Sequence, residues 1–209
     1  EYYSQTKKYL TPDSNGVIPF NVLKPRCLDV YLKMYIHPLD SLDVDFYWLK
    51  NNDKTSLEEI NLLKHYHLYD MMRNYKRRPM VLAKNSLIAS HRYPVLYSGK
   101  IKVGWDTLAK IPFYNLNATN IGVSWWAHDI GGYYKGIEDS ELYVRFVQLG
   151  VFSPIMKFGS DGLKYYKREP WRWGIKTYNI VKDYLTLRHQ LIPYLYTEAR
   201  NYAKEGTPV

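Results

Sequence analysis

Apolar positions along the 209 residues fall into two alternating patterns. Short, nearly continuous apolar runs recur at Val44-Asp45-Phe46-Tyr47-Trp48-Leu49, Pro79-Met80-Val81-Leu82-Ala83, Pro94-Val95-Leu96-Tyr97, Ile121-Gly122-Val123-Ser124-Trp125-Trp126 and Val151-Phe152-Ser153-Pro154-Ile155-Met156. Runs of this length suit strands covered on both faces, the environment of a parallel sheet. Between them, apolar residues recur at helical spacing. Ser56-Leu57-Glu58-Glu59 carries a capping-box pattern and leads into Ile60, Leu63, Leu68 and Met71. Residues 140–149 read as a helix, and so do 178–202, with Ile180, Tyr184, Leu187, Leu191 and Leu195 in one stripe. Strand–helix alternation predicts an α/β fold with parallel strands near 44–49, 79–83, 94–98, 121–126 and 151–157.

Two architectures are built this way. An open doubly wound sheet wants a glycine-rich phosphate turn after its first strand, and the chain has neither G-x-G-x-x-G nor G-x-x-x-x-G-K. A barrel instead places its chemistry past the carboxyl ends of its strands. Polar residues stand there: Lys50, Lys84, Lys100, His128-Asp129 and Lys157. The pattern predicts a partial (β/α)8 TIM barrel, about strands 4 to 8 with their helices. A whole barrel takes roughly 250 residues, so residues 1–209 are expected to be one part of a barrel domain whose start and end fall inside a longer protein. Such a piece should expose apolar surface that the rest of its own polypeptide, or a partner subunit, would cover.

Composition narrows the function. Hydrophobic residues make up 46% and aromatics 16%, which excludes a disordered or low-complexity chain. A single cysteine, Cys27, excludes an internal disulfide framework; its place in a helical stretch predicts a buried packing thiol. No apolar run is long enough to cross a bilayer, and no signal-like segment follows Glu1. The net charge of +9 raises nucleic acid as a partner, but the basic residues are scattered. The one dense run, Lys76-Arg77-Arg78, falls in an expected loop. A solvated basic surface without nucleic-acid binding is the reading. His65-Tyr66-His67 is no metal pair, because residues two apart on a helix face different ways. No metal and no cofactor is expected.

Trp125-Trp126-Ala127-His128-Asp129-Ile130-Gly131-Gly132-Tyr133-Tyr134 stands apart. Two tryptophans leave an expected strand, a His-Asp pair follows, and two glycines let the backbone turn. Aromatic faces beside a carboxylate suit a sugar, with its apolar C–H faces and hydroxyl rim; a packed aromatic cluster is the alternative.

With that segment, several blocks resemble glycoside hydrolase family 31, the α-glucosidase and α-xylosidase group. They are His37-Pro38-Leu39 with Val44 to Leu49, Ser90-His91-Arg92-Tyr93-Pro94 with Ser98-Gly99, Trp125 to Gly132, Gly150-Val151-Phe152-Ser153-Pro154, and Leu187-Arg188-His189 with Ile192-Pro193-Tyr194-Leu195-Tyr196. The resemblance runs from about residue 20 to the end, in the family's order and spacing. It implies a retaining (β/α)8 barrel entered near its fourth strand, with earlier strands, a leading β-sandwich and later β-domains outside residues 1–209. It also implies an α-glucoside or α-xyloside as ligand. By the same resemblance, the nucleophilic Asp falls at Lys50 and the acid/base Asp at Lys100. Family arginines that hold sugar hydroxyls fall at Lys84 and Lys157, and a family His falls at Gly159. Asp129, Trp48 and an aromatic at Tyr133 match the sugar-binding pattern.

Retaining hydrolysis needs two carboxyl groups roughly 5 Å apart, one attacking the anomeric carbon and one protonating the leaving oxygen. Lysine at both positions turns two negative charges into two positive ones and opposes an oxocarbenium-like transition state. The expectation is a catalytically inactive barrel kept for binding a glycan or for scaffolding. The competing expectation is an active retaining glycosidase with a displaced carboxylate. Asp53, three residues past Lys50, is its best candidate; Asp45 already belongs to the strand pattern and Asp106 to a helix start. A Schiff-base role for Lys50 or Lys100 is a third possibility with no other feature behind it.

Overall fold

The computed structural model describes residues 20–50, 56–74, 78–84, 90–93, 95–136, 139–161 and 168–209, in two compact units divided between Ala83 and Lys84. Asp53, Lys76 and Arg77 lie outside the described residues.

In the first unit, Pro25 opens helix α1 (Pro25–Tyr31), where its missing N–H costs nothing, and Cys27 is fully buried there. A π-helical turn, Leu32–Ile36, joins α1 to α2 (His37–Asp40). Strand β1 (Tyr47–Leu49) follows, then α3 (Leu57–Met71) and β2 (Val81–Lys84), whose last residue already belongs to the second unit. The capping box forms as expected: Glu59 N–H donates to Ser56 Oγ at 3.1 Å and Ser56 N–H to Glu59 Oε2 at 2.9 Å. Strands β1 and β2 pair in parallel, Tyr47 opposite Val81 and Leu49 opposite Ala83. Leu49, Val81 and Ala83 pack with Ile60 and Met71 of α3. Because strand side chains alternate, Trp48 and then Lys50 project from the face opposite that helix. His65 packs on Tyr69, whereas His67 is buried between Tyr31 and Tyr47. The two imidazoles serve different neighbours.

The second unit carries β3 (Leu96–Tyr97), α4 (Trp105–Asn120), β4 (Trp126–Ile130), α5 (Ser140–Val151), β5 (Ile155–Phe158), α6 (Ile175–Gln190) and α7 (Ile192–Glu205). Strand β4 pairs in parallel with β3 on one side and β5 on the other. Their carboxyl ends therefore share one edge. Ile130, Phe146, Val147, Val151 and Val181 have no exposed surface and form the core between strands and helices, with Met156 and Phe158 packed against them. Asp139 caps α5 by accepting from the N–H groups of Glu141 and Leu142. Repeated parallel strand and helix make this a partial (β/α)8 barrel fold.

Three boundaries differ from expectation. The strand read at 121–126 begins at Trp126, since α4 runs to Asn120 and Gly122, at φ +78°, turns the chain. Trp126 thus enters the strand rather than leaving it, and His128-Asp129 lie within it. The fifth run is split: Val151 ends α5 and β5 starts at Ile155, because Pro154 has no N–H to continue a helix. The long helix over 178–202 is two, broken at Leu191 just before Pro193 for the same reason. Asp106 sits in the first turn of α4, whose cap is Gly104. Large apolar side chains stand in solvent in both units, among them Leu42, Phe113, Leu116 and Trp171.

A polar network closes the amino-terminal side of the first unit. Asp40 accepts from the Tyr47 hydroxyl at 2.5 Å and from Arg73, and Arg73 also bonds Asp70, which bonds His37 Nε2 at 2.9 Å. Burial alone would raise the Asp40 carboxyl, but the Tyr47 and Arg73 hydrogen bonds hold it below its ordinary value. A lowered folded value stabilises above the unfolded one and is lost as pH falls through it. Urea midpoints should therefore drop between about pH 5 and pH 3, and Asp40→Asn should flatten that drop while costing about 1–3 kcal/mol at pH 7. An unchanged midpoint and pH profile in Asp40→Asn would show that the network holds nothing.

Candidate functional site

Alternation along β4 and β5 decides what faces where. Ile130 and, in phase with it, His128 turn toward the helices, whereas Asp129 turns to the opposite face with its register partner Lys157. Asp129 has no exposed surface, and the Lys157 ammonium donates to its Oδ1. Tyr97, on β3, adds its hydroxyl to the carboxylate and its ring to the ammonium, which lies 4.6 Å from the ring centroid. Burial pushes the Asp129 carboxyl up, and Lys157 with Tyr97 pulls against that. Burial, then the Asp129 charge, raises the Tyr97 phenol, so it stays protonated as a donor. Asp129 Oδ2 is buried without a hydrogen-bond partner among the described residues.

His128 is read by sequence as part of the rim pair, and the structure separates it. Its two ring nitrogens are buried and make no hydrogen bond among the described residues. Burial, with the Lys157 charge second, drives its pKa to about 4, leaving a neutral ring near neutral pH.

Lys100 follows β3 after the Ser98-Gly99 turn, exposed, with its ammonium 5.0 Å from the centroid of Tyr133. Gly99 has φ +82°, and a Cβ there would come within 2.9 Å of Lys84 Cε, so the Lys84 stem lies along this turn. In the first unit, Lys50 sits 4.6 Å from the ring of half-exposed Trp48. Lys50 and Lys100 are thus each held on an aromatic face. Gly159 makes room for the ion pair: a Cβ there would meet Asp129 Oδ1 at 2.4 Å.

Three supports escape a sequence reading because they are long-range. Arg188 donates to the carbonyls of Val151, Ser153 and Pro154 at 2.6–2.8 Å, tying α6 to the turn that launches β5 and hence Lys157. Arg168 donates to the carbonyls of Gly131 and Gly132, fixing the turn after Asp129. Tyr97 completes the ion pair. The basic residue in Leu187-Arg188-His189 was visible; its targets were not.

Removing Lys157 strands a buried carboxylate. Lys157→Met should destabilise by about 3–5 kcal/mol, and adding Asp129→Asn should recover part of the loss, as read by urea unfolding. Strictly additive losses in the double variant would mean that the pair is not coupled.

The family model "Glycosyl hydrolases family 31 TIM-barrel domain" matches residues 2–198. An α-xylosidase of Saccharolobus solfataricus is 25% identical over 214 residues, covering 88% of this chain and 29% of its own. Neutral α-glucosidase AB of Homo sapiens is 34% identical over 133 residues, 63% of this chain and 14% of its own. Among solved structures, a Flavobacterium johnsoniae GH31 dextranase complexed with isomaltotriose aligns with TM-score 0.77 at 25% identity, covering 96% of this chain and 29% of its own. The chain spans less than a third of the length of these relatives. Matched over most of its length, it belongs to glycosyl hydrolase family 31 and represents part of that family's TIM-barrel domain.

Proposed function

We propose that the protein is an α-glucosidase-like barrel that binds carbohydrate, an α-glucoside or α-xyloside in kind, without hydrolysing it. The reading is carried by the sequence resemblance, in which Lys50 follows Trp48-Leu49 and Lys100 follows Ser98-Gly99, where the family pattern has the nucleophile and the acid/base. An ammonium cannot form the glycosyl ester that retention requires, and two of them raise the energy of a cationic transition state. The cation–π seats on Trp48 and Tyr133 support lysines held in place rather than chance surface charges. In the second unit, Tyr133, Lys84 and Lys157 are the proposed binding groups for a sugar; in the first, Trp48 beside Lys50 offers a stacking face of its own. Asp129 enters through Lys157, whose ammonium it anchors.

The relatives' names support the substrate class: one is an α-xylosidase and others are α-glucosidases. The full-length protein should show no hydrolysis of aryl α-glucosides or α-xylosides above a blank. Losing the nucleophile alone commonly removes many orders of magnitude in rate. Turnover by the unmodified protein, abolished by Asp53→Asn, would overturn this reading in favour of a displaced nucleophile. Turnover indifferent to changes at Lys50, Lys100 and Asp53 would place the chemistry elsewhere.

A further inference from the structure

Among the described residues, the carboxyl edge of β3–β5 carries lysines beyond the one that a carboxylate pairs. Lys157 is matched by Asp129. Lys84 and Lys100 have no carboxylate partner among the described residues. Just beyond, the backbone of Lys102 bridges to Tyr134, and Val103 N–H donates to Tyr134 O at 2.9 Å. This brings the turn bearing Lys100 and Lys102 against the one bearing Tyr133 and Lys135, with all three lysines exposed. Of the described acids here, Asp139 is engaged in capping α5 and accepts from Trp105 Nε1 at 3.0 Å, and the Asp161 N–H is bonded to Tyr133 O.

Neutral sugars do not need such an edge. A hydroxyl is recognised by paired donors and acceptors, and clustered ammonium groups offer only donors. Placed side by side without counter-charges, they repel one another by an amount that an anion removes. Lys84 and Lys100 flank one turn, because the Lys84 stem passes along Gly99, the residue before Lys100. Their side chains start close enough for both to approach one anionic group. Tyr133 holds Lys100 at that turn.

Resting on the carbohydrate-binding reading above, we propose that the ligand is an anionic saccharide whose carboxylate, sulfate or phosphate group is held by Lys84 and Lys100. Lys102 and Lys135 add long-range attraction, so binding should weaken with salt. Asp129 contributes by neutralising Lys157 alone, which leaves the other ammonium groups to the ligand.

Calorimetric titration of the full-length protein tests this with methyl α-glucoside, methyl α-glucuronide, glucose 6-phosphate and inorganic phosphate at low and high salt. At least one charged sugar should bind about tenfold or more tighter than the neutral one at low salt. Lys84→Gln and Lys100→Gln should each remove most of that advantage. Melting temperatures of both variants show that the fold persists, and the two substitutions report independently. Equal affinity for neutral and charged sugars would overturn the anionic ligand while leaving carbohydrate binding standing. Binding by none of the sugars would overturn both readings. Inorganic phosphate binding as tightly as glucose 6-phosphate would reduce the site to a plain anion site and overturn the saccharide. An advantage untouched in both variants would overturn the assignment to Lys84 and Lys100.

Discussion

A carboxylate with no exposed surface must be matched where it stands, and Asp129 is matched by Lys157 from the neighbouring strand, with Tyr97 contributing from the other side. Much of the second unit's local order follows from that requirement. Register places Lys157 directly opposite Asp129, so β4 and β5 cannot slip without stranding a charge. Gly159 must stay small because a side chain would collide with the carboxylate. Arg188 and Arg168 pin the turns at the start of β5 and the end of β4, both through backbone carbonyls.

The same constraint shapes what the site can do. In a hydrolytic barrel mouth, carboxylates supply the nucleophile and the proton donor. Here the Asp129 carboxylate of β4 is committed to Lys157, and under the proposed reading Lys50 and Lys100 take the two positions where the chemistry would be. Aromatic rings of Trp48 and Tyr133 hold those ammonium groups. Such a constellation suits attraction of electron-rich ligands and opposes the build-up of positive charge that glycoside cleavage demands.

Much of the fold was legible in the residues. Short apolar runs marked the positions of the parallel strands, and Ser56 with Glu59 announced the start of α3. Boundaries moved where two signals overlapped. Val151 is apolar enough for a strand but completes the buried face of α5, and Trp125-Trp126 resembled a strand end although Gly122 delays the strand's start. At the site, composition and order placed Lys50, Lys84, Lys100, Asp129 and Lys157 near strand ends. The Asp129–Lys157 pair could not be read, because 28 residues separate the partners and only register brings them together. His128 was misplaced for a related reason: once it lies inside β4, alternation sends it to the helix side.

Under the proposed reading, no carboxylate serves as nucleophile in this protein. The most direct test is intact-mass spectrometry of the full-length protein after incubation with fluorosugar inactivators of the glucosyl and xylosyl series, which stall retaining enzymes at the covalent glycosyl–carboxylate stage. The expected result is an unchanged mass under conditions that label an active family member. A stoichiometric glycosyl adduct mapped to an aspartate or glutamate, Asp53 above all, would contradict it.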